Sequence, residues 1–93
     1  MRTIERSSIF KKDYKREAKG KYQKTLDKKL IPVLINLAND QPLAHKYKDH
    51  NLSGNWATYR ECHITPDLLL IYSKPCENIL KLVRLGSHSN LFD

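Results

Sequence analysis

The spacing of apolar residues changes once along the chain. In the first half it is helical. Phe10, Tyr14 and Ala18 recur at intervals of four within "SSIFKKDYKREAKG", which predicts one face of a helix. Ser7 or Ser8 serves as its cap, and Gly20, which tolerates the left-handed conformation, as its stop. Leu26, Leu30, Val33, Leu34 and Leu37 form a second stripe, with Lys24, Asp27, Lys28 and Lys29 away from it. Pro32 falls inside this stripe, so a kink or break is expected there. "NDQP" ends the helix.

In the second half the period drops to two. "ATYRECHI" sets Tyr59, Glu61 and His63 on one face and Thr58, Arg60, Cys62 and Ile64 on the other. "TPD" is a turn, and "LLLIY" is a continuous apolar run suited to the centre of a sheet. "SKPCEN" turns again into a strand "ILKLVRL", closed by Gly86 and followed by a short tail, "SHSNLFD". Near the start, "RTIERS" reads as a first strand. The order β-α-α-β-β-β predicts an α+β fold, with two N-terminal helices packed on a twisted, mainly antiparallel sheet and the other sheet face left free to bind. No repeat, low-complexity tract or linker interrupts residues 1–93, which are read as a single domain.

Size and charge narrow the choices. A domain this small buries roughly 60–65% of its unfolded surface, so a shallow groove facing a large ligand is expected rather than a deep cavity. Lys and Arg total 17 against 10 Asp and Glu, a net charge of +7. Residues 1–48 hold 13 basic and 5 acidic residues, a net +8, whereas residues 49–93 carry a net −1. A basic surface of this kind attracts polyanions, nucleic acid first and anionic membrane second; the plainer reading is a solvated helix face. No 18-residue apolar run is present and "MRTIERSSIF" lacks the apolar centre of a signal peptide, so the chain is read as cytoplasmic. Cys62 and Cys76 make no CxxC pair, and reduced thiols are expected.

Candidate chemistry collects at element boundaries. His50 falls in the loop before the sheet, His63 at a strand end, His88 just past the last strand, and Asp67 across a tight turn from His63. Imidazoles and a carboxylate beside a basic surface suit RNA cleavage. A base takes the proton of the 2′-hydroxyl as it attacks phosphorus, an acid protonates the departing 5′-oxygen, and cations hold the phosphoryl oxygens. Arg84, four residues before His88, is a candidate phosphate donor, and Lys48 a further RNA contact. Arg60 leaves the strand on the face opposite to His63. A metal site is the rival chemistry, but no HxxxH or paired cysteine spacing is present, so no metal or cofactor is expected. Trp56, after "GN", is read as starting a strand, with its ring packed in the core or its indole N–H hydrogen-bonded. Phe92 either staples the tail or stacks on a base.

"YKDHNLSGNWATYRECHITPDLLLIY" followed by "RLGSHSNLF" resembles the YafQ-like branch of the RelE/ParE toxin superfamily. The pattern spans Lys48 to Phe92; the first half is similar only in length, basic character and its two helices. The resemblance implies a RelE-like fold and a ribosome-dependent endoribonuclease that cuts mRNA in the decoding site without a metal. It places the functional residues on His50, His63, Asp67 and His88, the terminal aromatic on Phe92 and a phosphate-contacting arginine on Arg84. It also implies a cognate antitoxin, with an acidic toxin-binding segment. Some relatives carry an aromatic residue directly after the Asp, where this chain has Leu68, so base stacking is not carried over to that position. The alternative is a non-catalytic binder of nucleic acid or protein, as in the gyrase-directed ParE branch, which has no use for the His and Asp set.

Overall fold

The computed structural model describes residues 1–92. Strand β1 (Thr3–Arg6) is followed by helices α1 (Ser8–Lys19) and α2 (Leu26–Ala38). A short strand β2 (His50–Asn51) lies between two 3-10 turns, His45–Tyr47 and Gly54–Trp56. Strands β3 (Arg60–Thr65), β4 (Leu68–Cys76) and β5 (Ile79–Gly86) come next, then a terminal helix α3 (His88–Phe92). The five strands are ordered β1-β5-β4-β3-β2, with β1 parallel to β5 and every other pair antiparallel. The predicted order holds, and β2 and α3 are additions to it.

The run "LLLIY" is the middle strand, and both its faces are covered. Leu68, Leu70 and Tyr72 face the helices in the main core, with Phe10, Leu30 and Val33 opposite. Leu69 and Ile71 point the other way and pack under Leu91 of α3, with Leu52, Trp56 and Tyr59 at the margin. The second sheet face is therefore not free, as the element order suggests, but partly roofed by the tail. Leu68 is fully buried on the helix side, which explains why it cannot serve as a stacking platform.

Three local readings are corrected. Helix α2 runs through Pro32. Leu30, Val33, Leu34 and Leu37 are all buried, and this packing outweighs one missing hydrogen bond on the exposed side. Gly20 caps α1 with φ −97°, outside the left-handed region; its N–H reaches the Glu17 carbonyl. Trp56 lies in a 3-10 turn, and the strand begins only at Arg60.

The tail folds because its own residues cap it. Asn90 N–H donates to Ser87 Oγ at 3.1 Å and Ser87 N–H donates to Asn90 Oδ1 at 3.1 Å. This is a reciprocal capping box.

Helix α1 completes the sheet where β1 ends. Beyond Leu82, β5 has no strand on its outer edge, and side chains of the Ser7–Arg16 segment occupy its backbone groups. Ser7 Oγ donates to the Val83 carbonyl at 2.8 Å, Leu85 N–H donates to Asp13 Oδ2 at 3.0 Å, and Arg16 Nη2 donates to the Leu85 carbonyl at 2.8 Å. An open edge is thereby closed without another strand. Gly86 permits this approach, since a Cβ there would lie 2.7 Å from Arg16 Nη2.

Candidate active site

Strand β3 carries the centre of the site. Its alternation sends Cys62 and Ile64 into the main core and Glu61 and His63 to the opposite face. β2 pairs with only the first two residues of β3, in the register His50↔Glu61, so these two side chains share that face. Glu61 Oε1 lies 3.6 Å from His50 Nε2 and 3.4 Å from His63 Nε2. The two rings are 6.4 Å apart between centroids. Glu61 is only 6% exposed, and a carboxylate so withdrawn from water needs polar partners, which the two imidazoles supply. Glu61 was missing from the sequence candidates. The signal that points to it is its position two residues before His63, on the same strand face.

His50 is held from its other side. Lys48 takes the left-handed conformation, with φ 49° and ψ 43°, and its carbonyl lies 2.5 Å from His50 Nδ1. A carbonyl only accepts, so Nδ1 carries a proton and Nε2 is the nitrogen left to exchange one. Lys48 thus enters the site through its backbone. Both neighbours of His50 are fastened by Arg60. Its Nη1 donates to Asn51 Oδ1 at 2.6 Å, its Nη2 lies 3.1 Å from Asp49 Oδ2, and its Nε donates to the Tyr72 hydroxyl at 3.2 Å. Tyr72 in turn donates to Asp49. Burial, then that bond to Asp49, pushes the Tyr72 hydroxyl above its ordinary range, so it remains a donor.

Asp67 occupies the two-residue turn between β3 and β4, where Thr65 pairs with Leu68. Its N–H donates to Thr65 Oγ1 at 3.2 Å, and that hydroxyl is 3.0 Å from the Tyr22 hydroxyl. The Asp67 side chain is 72% exposed, and its ion-pair partner, at 3.2 Å, is Lys21 rather than an imidazole.

His88 opens α3. Along the sheet, His63 pairs with Leu69 and Leu69 with Gly86, which puts Gly86 two strands, or about 10 Å, from His63. His88 follows two residues later, at the same end of the sheet. Its ring is 5.1 Å from Phe92, Phe92 is 5.9 Å from Trp56, and Trp56 is 5.5 Å from Tyr59. Phe92 is half-buried in this aromatic row and fastens the tail to the sheet.

Arg84 is committed to α1. Its Nε donates to Asp13 Oδ2 at 2.9 Å and its Nη2 to Asp13 Oδ1 at 3.2 Å, a two-pronged pair with a carboxylate that is 2% exposed. Arg84 also ends the cross-strand row His50↔Glu61↔Ile71↔Arg84. Asp13 was not a sequence candidate; it stands three residues after Phe10, at the margin of the apolar stripe. Burial pushes the Cys62 thiol far up, so it stays protonated, and both cysteines are free.

Among the described residues no group of three or more His, Cys, Asp or Glu is arranged to hold an ion. The nearest imidazole nitrogens converge on a single Glu61 oxygen. What the arrangement offers is proton exchange: two imidazoles coupled through one carboxylate, a third imidazole across the sheet end, and an acid on the adjoining turn.

Comparison with known proteins places the chain in a family. Residues 2–93 match the family model for the "bacterial toxin of type II toxin-antitoxin system, YafQ". The mRNA interferase toxin YafQ of Escherichia coli K12 is 42% identical over 91 residues, 98% of this chain and 96% of that protein. A metal-bound toxin from Helicobacter pylori is 55% identical, with a TM-score of 0.88 over 99% of this chain and all of that one. The toxin of the E. coli DinJ–YafQ complex is 37% identical, with a TM-score of 0.85 over the whole of both chains. The chain belongs to the YafQ family of bacterial toxins of type II toxin–antitoxin systems.

Proposed function

We propose that this chain is a ribosome-dependent endoribonuclease that cuts mRNA in the decoding site and so inhibits translation. The 2′-oxygen attacks the adjacent phosphorus while the bond to the 5′-oxygen breaks, leaving a cyclic phosphate and a free 5′-hydroxyl. His50 takes the hydroxyl proton at Nε2, the nitrogen its Lys48 contact leaves available. His88 gives a proton to the leaving oxygen from the other side of the sheet end. His63, Asp67 and Glu61 complete the proton network, and Arg84 faces the phosphoryl oxygens with what its Asp13 pair leaves unused. The observation that carries this reading is the pair of imidazole nitrogens within 3.6 Å of one buried carboxylate oxygen, on the paired strands β2 and β3. An mRNA-cutting enzyme needs restraint in its own cell. A cognate antitoxin is therefore part of the proposal, as the E. coli relative's complex with DinJ suggests.

The test is cleavage of ribosome-bound mRNA. His88→Ala is expected to cut roughly 10²–10⁴ times more slowly than wild type, and mapping the new 5′ ends reports the codon position. Equal cutting by both proteins removes His88 from the mechanism. Equal cutting of naked mRNA removes the ribosome.

A further inference from the structure

Beside His63 the sheet edge opens into a groove of about 440 Å3, lined among others by Lys28, Lys29, Lys46, Tyr47, His63 and Thr65. It exists because β2 covers only Arg60 and Glu61. Strand β3 packs against both α2 and the His45–Tyr47 turn, and residues of all three line the groove. A volume of about 300–1,000 Å3 is usual for small-ligand sites. This one is unusual in its charge: no carboxylate lines it. Asp27, the acid in the first turn of α2, is bonded to Tyr14 on another side of the helix. None of the three lysines has a carboxylate partner among the described residues. Tyr47 is half-buried and carries the Lys46 ammonium 5.1 Å from its ring centroid. Pro32, also on the lining, has no N–H, so the Lys28 carbonyl loses its ordinary helical donor.

We propose that this groove is a subsite for the substrate RNA strand next to the cut. The lysines neutralise consecutive phosphates and Tyr47 supplies a ring against which a base lies. The inference rests on the ribonuclease reading, because His63 both lines the groove and belongs to the proton-exchanging cluster. A strand leaving the reacting phosphate on that side must enter here. The groove is lined by lysines of α2 and of the His45–Tyr47 turn and by none of α1.

The experiment uses a hexanucleotide RNA methylated at every 2′-oxygen, which binds but cannot be cut. Its addition to the full chain is expected to shift the amide resonances of Lys46, Tyr47 and Thr65. In the triple variant Lys28→Gln, Lys29→Gln, Lys46→Gln, affinity for it falls roughly tenfold or more at low salt, and the slope of log affinity on log salt shrinks by about 2, near 0.7 per lost phosphate contact. Wild-type affinity and slope in the variant overturn the proposal. So do resonances that respond to a poly-glutamate peptide and not to the RNA, which would make the groove a protein site. Weakened binding to mRNA-free ribosomes with unchanged oligonucleotide affinity overturns it as well, by assigning the groove to ribosomal RNA. A wild type that binds the oligonucleotide here but never cuts mRNA defeats the ribonuclease reading, overturns the subsite's place beside a cut, and leaves only a groove that binds single-stranded RNA.

Discussion

Asp13 shows how much one buried carboxylate can organise. It accepts from Arg84, Arg16 and the Leu85 N–H, and so joins α1, the edge of β5 and a site arginine. Burial alone would raise its pKa. The hydrogen bonds from Arg84, the Leu85 backbone and Arg16 outweigh burial and hold it below the ordinary 3.8. A depressed acid contributes stability that is present above its unfolded pKa and is lost as pH falls through the folded one. The wild type is thus expected to retain this contribution down to about pH 3.8 and to lose it below. Asp13→Asn should be destabilised by about 3 kcal/mol near neutrality, the usual cost of leaving one partner of a buried pair alone, and should lack that acid-limb loss. Urea midpoints between pH 2 and pH 7 read both effects. Parallel curves for the two proteins would mean that the carboxylate contributes no linked protonation.

At the scale of elements, the weakest piece of structure carries a central residue. β2 is two residues long, too short to hold its place by ladder bonds alone. Arg60 does it instead, by gripping Asp49 and Asn51 on either side of His50. Arg60→Leu should therefore slow RNA cleavage by about 10²-fold through misplacement of His50, with KM nearly unchanged and the far-ultraviolet spectrum intact. Arg60→Lys should fail to restore the rate, since an ammonium cannot reproduce the planar fork. Rescue by lysine would mean that charge alone is needed. The same logic applies at the other end of the sheet, where the Ser87 and Asn90 cap lets a five-residue helix present His88.

For the whole molecule the relevant quantity is the uneven charge, +8 in residues 1–48 against −1 in the remainder. The α1 lysines Lys11, Lys12, Lys15 and Lys19 are all exposed, and the ribosome is the polyanion they are proposed to meet. Raising salt from about 50 to about 200 mM should weaken ribosome association by roughly 10³-fold if about six phosphates are contacted. Replacing Lys11, Lys12 and Lys15 with Gln should flatten that dependence while leaving the chemistry of bound substrate unchanged. Cosedimentation across a salt series measures it, and a flat wild-type profile would show that charge does not steer this encounter.

The amino-acid sequence by itself determined the order of the main elements, because apolar spacing is a local property: a period near four buries one side of a helix, and a period of two buries one face of a strand. It also determined that Asp67 falls in a turn and His88 just past the last long strand, whereas His63, expected at a strand end, lies inside β3 and His50, expected in a loop, lies in β2. The tertiary structure decided what depends on strand register and on which surfaces meet. Glu61 became the link between two histidines only once β2 paired with β3. Asp13 met Arg84 across 71 residues of chain, a partnership no local pattern contains. Pro32 stayed helical and the tail folded over Leu69 and Ile71 for the same reason. Burial against distant residues outweighed the preference of the local segment, and that balance exists only in the assembled fold.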